Sequence, residues 1–446
     1  MGLHSAGQTD VNLTSWWGNK IFNHYQLMKT SDFTKNNEVQ KVILNLKRDL
    51  ADKLFSDVID NEGNQYVDLV QEGGGILGIA LLGYTYVLEQ VGIRFFSLAG
   101  TSAGAINTLL LAAVDSVEKP KSEKIIELIA NKNLYDFVDG PFFVKFLLKA
   151  LRTNKENESL FKKIIKKTLI VLWTLIWIIP VVIYLFIRKG LNRGKNFRNW
   201  IVDILKENRI NSYSDLSKIR RTPENISIRS GVDNTTVGLK PNLKIIAAEI
   251  TTESRIIFPE MNVLFWNEPG NENPADYLRA SMSIPLFFHP FRLDVGNMNK
   301  EDWQKQVKFH GNPPAKACFV DGGILSNFPI DVFHNRNIIP RLPTFGVKLG
   351  DDRNKTTKVK SLMKFLMAIF NSARHVLDYQ FLLKNDDYEQ LIQKIDIGEH
   401  NWLNFSMPDK DKLDLFKRGA IAADQFLRRF KWEKYKETRA KMVKRN

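Results

Sequence analysis

YVDLVQEGGGILGIALLGYTYVLEQVGIRFFSLAGTSAG, residues 66–104, decides how this chain folds. Tyr66–Val70 is a short run of strand-forming residues, glycines follow at once, and the apolar stretch Ile76–Leu88 reads as a helix. The pattern then repeats: a second strand run at Ile93–Ala99, a second glycine turn, and a second apolar helix over Ala105–Val114. Strand, glycine turn and helix, twice over, is the rhythm of an α/β protein with a parallel sheet. Further along, Phe197–Lys206 reads as a helix, and Leu243–Ile250, Arg255–Phe258, Ala317–Val320 and Thr344–Leu349 read as strands. Residues 1–60 look helical and amphipathic, with Trp16, Trp17, Ile21 and Phe22 early. From Val359 onward the pattern is helical, with a break near Trp402–Pro408. The expected division is a helical region over 1–60, an α/β domain over 61–350 with an apolar insertion at about 160–195, and a basic helical region over 351–446.

The first turn, Gly73-Gly74-Gly75-Ile76-Leu77-Gly78, satisfies G-x-G-x-x-G between a strand and a helix. A dinucleotide site would also need an acidic residue about 20 positions on. Leu98, Ala99 and Gly100 stand there instead. No Lys-Ser/Thr pair follows, so a Walker phosphate loop is not supported either. What remains is a turn with backbone N–H groups at a helix N-terminus, suited to an oxyanion as much as to a phosphate.

The second turn, Gly100-Thr101-Ser102-Ala103-Gly104, is a G-x-S-x-G. Small neighbours let a serine on a tight strand-to-helix turn raise its Oγ clear of the sheet. A third cluster, Phe319-Val320-Asp321-Gly322-Gly323, ends an apolar strand with a carboxylate and precedes Asn327, Phe328 and Pro329. Beside a serine, that carboxylate is a general base. A histidine base is the alternative. Of the seven histidines, His334, His375 and His400 follow in the order that an α/β-hydrolase Ser-Asp-His triad requires.

These clusters, in this order, resemble the patatin-like phospholipase family. Arg279-Ala280-Ser281-Met282-Ser283-Ile284-Pro285 adds to the likeness, resembling that family's A-S-x-S-x-P element. The resemblance covers roughly Tyr66–Leu349 and implies a three-layer α/β/α fold with a mostly parallel central sheet. It further implies a catalytic dyad of Ser102 and Asp321 without a histidine, and an oxyanion hole at Gly73, Gly74 and Gly75. Gly78, Gly100, Gly104, Gly322 and Gly323 complete the motifs. The implied reaction is hydrolysis of phospholipid acyl esters through an acyl-serine, with no metal and no cofactor. Many relatives carry Arg or Lys where Leu77 stands here.

Composition adds the partner. Lys plus Arg is 64 against 49 Asp plus Glu, a net charge of +15. Lys145–Arg198 holds a net +11 of this and Arg428–Asn446 a net +7, so the remainder is nearly neutral. Between basic flanks, Leu169–Ile187 (LIVLWTLIWIIPVVIYLFI) runs 19 residues without a charge. As a helix it would span roughly 28 Å, close to a bilayer core, and Pro180 would kink or divide it. One crossing would put Ser102 and Asp321 on opposite sides of a bilayer and forbid a dyad. A monotopic or lid-like segment is therefore expected, on the cytoplasmic face, with anionic lipid as partner. Nucleic acid is not expected, because the basic run flanks apolar residues rather than interleaved stacking aromatics. A non-catalytic membrane scaffold would not need both Ser102 and Asp321. Cys318 is the single cysteine, which excludes a disulfide framework. No apolar leader opens the chain, and Ala6 stands where a myristoylation signal would have Ser or Thr. Oligomeric state is not legible.

Overall fold

The computed structural model describes residues 28–145, 178–229, 238–350, 356, 359 and 361–444. In chain order come α1 (Asn37–Asp49), β1 (Val58–Asp60), β2 (Gln65–Gln71), α2 (Gly78–Gln90), β3 (Ile93–Thr101) and α3 (Ala103–Ala113). After them lie β4 (Gly190–Asn192), α4 (Lys195–Glu207), β5 (Ile226–Ile228), β6 (Leu243–Glu249), β7 (Ser254–Phe258) and α5 (Ala275–Ser281). β8 (Leu286–Phe288), β9 (Phe291–Asp294), β10 (Lys316–Asp321), β11 (Thr344–Leu349) and α6 (Leu362–Lys384) follow. β12 (Ile392–Ile395), α7 (Asp409–Arg429) and α8 (Trp432–Val443) complete the series.

The central sheet runs β12-β11-β2-β3-β6-β10-β9. Its first five strands are parallel, and β10 and β9 are antiparallel to their neighbours. This is the expected α/β class with a mostly parallel sheet. β3 is buried along its whole length, as a strand covered on both faces must be. The steps β2→β3→β6 move one way across the sheet and β11→β12 moves the other. Right-handed crossovers therefore put α2 and α3 on one face and α6 on the opposite one.

The C-terminal residues are not a separate helical region. β12 pairs in parallel with β11 at the sheet edge, Gly346 level with Ile392. The buried face of α7, including Leu415, Phe416, Ala420, Ala423 and Phe426, joins the same core as α2. Four residues of strand inside a helical stretch are too short for alternation to reveal them. Trp16, Trp17, Ile21 and Phe22 lie outside the described residues.

Of the long apolar stretch, residues 169–177 lie outside the described residues. Residues 178–188, Pro180 included, are helical. Val181 faces inward, and Tyr184 Oη sits 3.0 Å from His289 Nε2. Ile179, Ile183, Phe186 and Ile187 are 53–79% exposed. Among the described residues, no helix is long and apolar enough to cross a membrane.

Candidate active site

Strand register assembles the site. On one side of β6, Thr101 of β3 is level with Ile246. On the other side, Asp321 of β10 is level with Ala247, the next residue. Ser102 and Asp321 therefore meet at one height across β6. Gln71 is level with Gly100, so the glycine turn that follows β2 reaches the same end of the sheet.

Ser102 sits at φ 52°, ψ −118°, a backbone conformation that a non-glycine residue adopts only when its surroundings impose it. Here they do. A Cβ on Gly100 would stand 2.5 Å from the Gly104 carbonyl carbon, and one on Gly104 would stand 2.3 Å from Gln71 O. The turn closes because both are glycine. The Ser102 N–H donates to Ser281 Oγ at 2.9 Å, and the Asp321 N–H donates to Ser283 O at 2.9 Å. The Ser281-Met282-Ser283 segment thus ties Ser102 to Asp321. Arg279, 5% exposed, donates to Ser283 Oγ at 2.7 Å and holds that segment in turn.

Ser102 and Asp321 are 3% and 6% exposed. The Ser102 hydroxyl is turned to Met282 Sδ at 3.2 Å. Asp321 Oδ1 accepts the Gly323 N–H at 2.8 Å, and among the described residues Oδ2 has no hydrogen-bond partner. Burial pushes the Asp321 carboxyl above its ordinary value; the neighbouring Ser102 hydroxyl, the Arg374 guanidinium and the Gly323 N–H pull against that rise. Burial makes that carboxylate more basic, as a general base requires. Of the three late histidines, His334 bonds Tyr388, His400 bonds Asp414, and His375 packs against Tyr379.

The glycine turn divides its labour. A Cβ on Gly73 would stand 3.1 Å from Ser102 Cβ, which measures how closely the turn passes Ser102. The Gly73 N–H, expected in the oxyanion hole, donates instead to Asn327 O at 3.0 Å. The loop after Asp321 folds back across the end of β2 and takes that donor. Among the described residues, the Gly74 and Gly75 N–H groups have no acceptor. Gly75 holds φ +56°, and a Cβ there would stand 2.2 Å from Trp402 O, so only glycine fits.

Residues that the motifs do not reveal hold these loops in place. Asn327 Nδ2 bonds Glu72 Oε1 at 3.1 Å, and Thr101 Oγ1 bonds Ser326 O at 2.9 Å. From α6, Asp378 accepts the Phe328 N–H at 2.9 Å and the Ser326 hydroxyl at 3.2 Å, and Arg374 donates to Gly73 O at 3.2 Å. Burial raises the Asp378 carboxyl to about 7. Asn327 could have been suspected from its place after Asp321-Gly322-Gly323. Arg374 and Asp378 carry no local signal, because their partners lie far away in sequence.

A slot next to Ser102 is lined by Gly75, Ile76, Ala103, Met282, Leu134, Phe137, Phe197 and Trp200 among others. Apart from Asn107 its lining carries no polar side chain, and Phe288 and Phe405 help close it. The family model of patatin-like phospholipases matches residues 69–334, more than half of the chain. The chain belongs to the patatin-like phospholipase family. All three motif clusters of this patatin-like chain fall inside the matched span. YqhO of Bacillus subtilis (strain 168), an uncharacterized protein, is 27% identical over 369 residues, covering 82% of this chain and 99% of that one. Among solved structures, VipD from Legionella pneumophila matches with a TM-score of 0.37 and 14% identity over 85% of this chain and 70% of its own. The ExoU–SpcU complex of the Pseudomonas aeruginosa type III secretion system gives 0.33 and 15%, over 82% of this chain and 52% of that one.

Proposed function

We propose that this patatin-like protein is a membrane-associated phospholipase of the A type, peripheral or monotopic on a cytoplasmic face, using Ser102 and Asp321 as a dyad. The observation that carries the reading is the convergence of Ser102, Asp321 and the Gly74–Gly75 turn at one end of the sheet, beside an apolar slot. Such a slot takes an acyl chain out of water, and each methylene so buried contributes about 0.8 kcal/mol.

In the first step Ser102 Oγ turns from Met282 to Asp321 Oδ2 and gives up its proton as it attacks the ester carbonyl carbon. The Gly74 and Gly75 N–H groups take the negative charge that develops on the carbonyl oxygen. The tetrahedral adduct collapses, the C–O bond to the lysolipid breaks, and Asp321 returns the proton to the departing alkoxide. An acyl-serine remains. Asp321 then takes a proton from water as the water oxygen attacks the acyl carbon, and the fatty acid leaves as the proton returns to Ser102 Oγ. The apolar 178–188 helix and the basic residues around it supply the attachment to anionic lipid.

Fatty-acid release from mixed zwitterionic and anionic phospholipid vesicles tests this. Ser102→Ala and Asp321→Asn should each lower release by on the order of a thousandfold while vesicle cosedimentation is retained. Release that survives both substitutions overturns the dyad.

A further inference from the structure

Helix α6 packs Phe381 and Leu382 against the core and yet leaves other large apolar residues in water. Arg374 and Asp378, the residues it spends on the glycine turn and on the Ser326–Phe328 loop, point inward. Its outward side carries an apolar stripe: Phe365, Ile369, Val376 and Leu383 are 50%, 52%, 47% and 78% exposed. Their spacings of four, seven and seven residues put them on one stripe, nearly opposite Arg374 and Asp378. Ser372 falls on the same stripe and turns its hydroxyl back to Ala368 O at 2.8 Å. A stripe this long, exposed and apolar calls for a partner.

Charge and continuity identify that partner. The stretch leading into the stripe, Arg353–Lys364, carries five Lys or Arg and no acidic residue. The inward side of α6, opposite the stripe, is linked through packed side chains to the apolar 178–188 helix. The Arg374 guanidinium lies 5.9 Å from the Trp402 ring, and Trp402 O accepts the Ile76 N–H beside the glycine turn at 3.0 Å. Three residues on, Phe405 stacks on Phe287 at 4.8 Å, next to Leu286, which is 55% exposed. The same strand leads to His289, the partner of Tyr184 in the 178–188 helix. Two helices that each expose apolar residues are thus linked through the loops around Ser102, and in sequence basic residues precede each.

We infer that α6 is a second lipid-docking element, which seats its Phe365–Ile369–Val376–Leu383 stripe in an anionic bilayer surface while its opposite side holds the catalytic loops. The inference rests on the phospholipase reading for its consequence and on the stripe alone for binding. Hydrolysis of lipid in a bilayer therefore depends on the stripe, and hydrolysis of a dispersed soluble ester does not.

The test pairs Ile369→Asp with Val376→Asp in the full chain. Leu44→Asp serves as control, Leu44 being 65% exposed on α1. Cosedimentation with vesicles of phosphatidylcholine and phosphatidylglycerol should fall by on the order of tenfold in the double variant and not in the control. Fatty-acid release from those vesicles should fall in parallel, while cleavage of a monomeric short-chain nitrophenyl ester stays within about twofold. If the double aspartate does not fold, Ile369→Gln with Val376→Gln is read in its place. Unchanged cosedimentation overturns the inference. So does an equal loss on vesicles and on the monomeric ester, which would make the stripe structural, or a change in oligomeric state with binding intact. Stripe-dependent binding by a protein that cleaves neither substrate would leave the docking surface standing and remove the phospholipase reading. Lipid cleavage indifferent to the stripe would do the reverse.

Discussion

Helices α2 and α6 both follow strands of the parallel sheet, yet they treat their apolar residues in opposite ways. α2 is apolar all round and buried all round; its one charged residue, Glu89, accepts the backbone N–H groups of Lys121 and Ser122. α6 packs Phe381 and Leu382 on the core, turns Asp378 onto the Ser326–Phe328 loop, and leaves a stripe of large apolar side chains in water. The body of the protein accounts for every apolar residue of α2 through the core it shares with α7. It does not account for the outer stripe of α6. The contrast separates residues kept to make the fold from residues kept to meet something outside it.

Four predictions press on that contrast, the largest effect first. Gly75→Ala forces a side chain onto Trp402 O and a left-handed backbone onto alanine, so it should lower kcat on the soluble ester by about a hundredfold or more. Steady-state kinetics with a thermal midpoint will show whether the loss is local.

Asp378→Ala strips the Ser326–Phe328 loop of two hydrogen bonds at once. It should cost roughly 1–3 kcal/mol of stability, read by denaturant unfolding, and about tenfold in kcat on both substrates. The pH dependence has a definite sign. The Asp378 carboxyl is raised to about 7 in the fold, so the folded protein holds its proton more tightly than the unfolded chain does. Its contribution to stability therefore declines as pH rises from about 4, the ordinary carboxylate range, to 7. Unfolding measured across that window should show the decline in the native protein and lose it in Asp378→Asn.

Phe186→Asp, at a position 79% exposed, should weaken vesicle cosedimentation several-fold and leave the soluble ester untouched. If it disturbs both, the 178–188 helix belongs with α2 rather than with α6. The smallest effect is expected at Arg374→Gln. Removing the guanidinium takes away a charge that favours the Asp321 carboxylate, so that carboxyl rises further and the acid limb of kcat/KM moves to higher pH. An unmoved limb would leave Arg374 a structural tie, with no part in setting the Asp321 carboxyl.

Much of the site is legible in the sequence because its constraints are local. The elbow needs Gly100 and Gly104 at fixed distance from Ser102, and Asp321 ends a strand before Gly322 and Gly323. Spacing records both. The sheet is legible for the same reason, since β2 and β3 announce themselves through the glycine turns that follow them. Three features escape. β12 is too short for its alternation to stand out from the helices around it. The Gly73 N–H looks like an oxyanion donor until the Asn327 carbonyl, brought in by tertiary packing, claims it. On α6 the periodicity shows two faces but not which one is inside, because that depends on partners such as Gly73, 301 residues away in the chain.

The central claim is that Ser102 is a nucleophile served by Asp321, and covalent labelling with a fluorophosphonate tests it most directly. Intact-protein and peptide mass spectrometry should place a single adduct on Ser102 in the native protein, none on Ser102→Ala, and a greatly slowed adduct on Asp321→Asn. An adduct elsewhere, or labelling as fast in Asp321→Asn as in the native protein, would contradict the dyad.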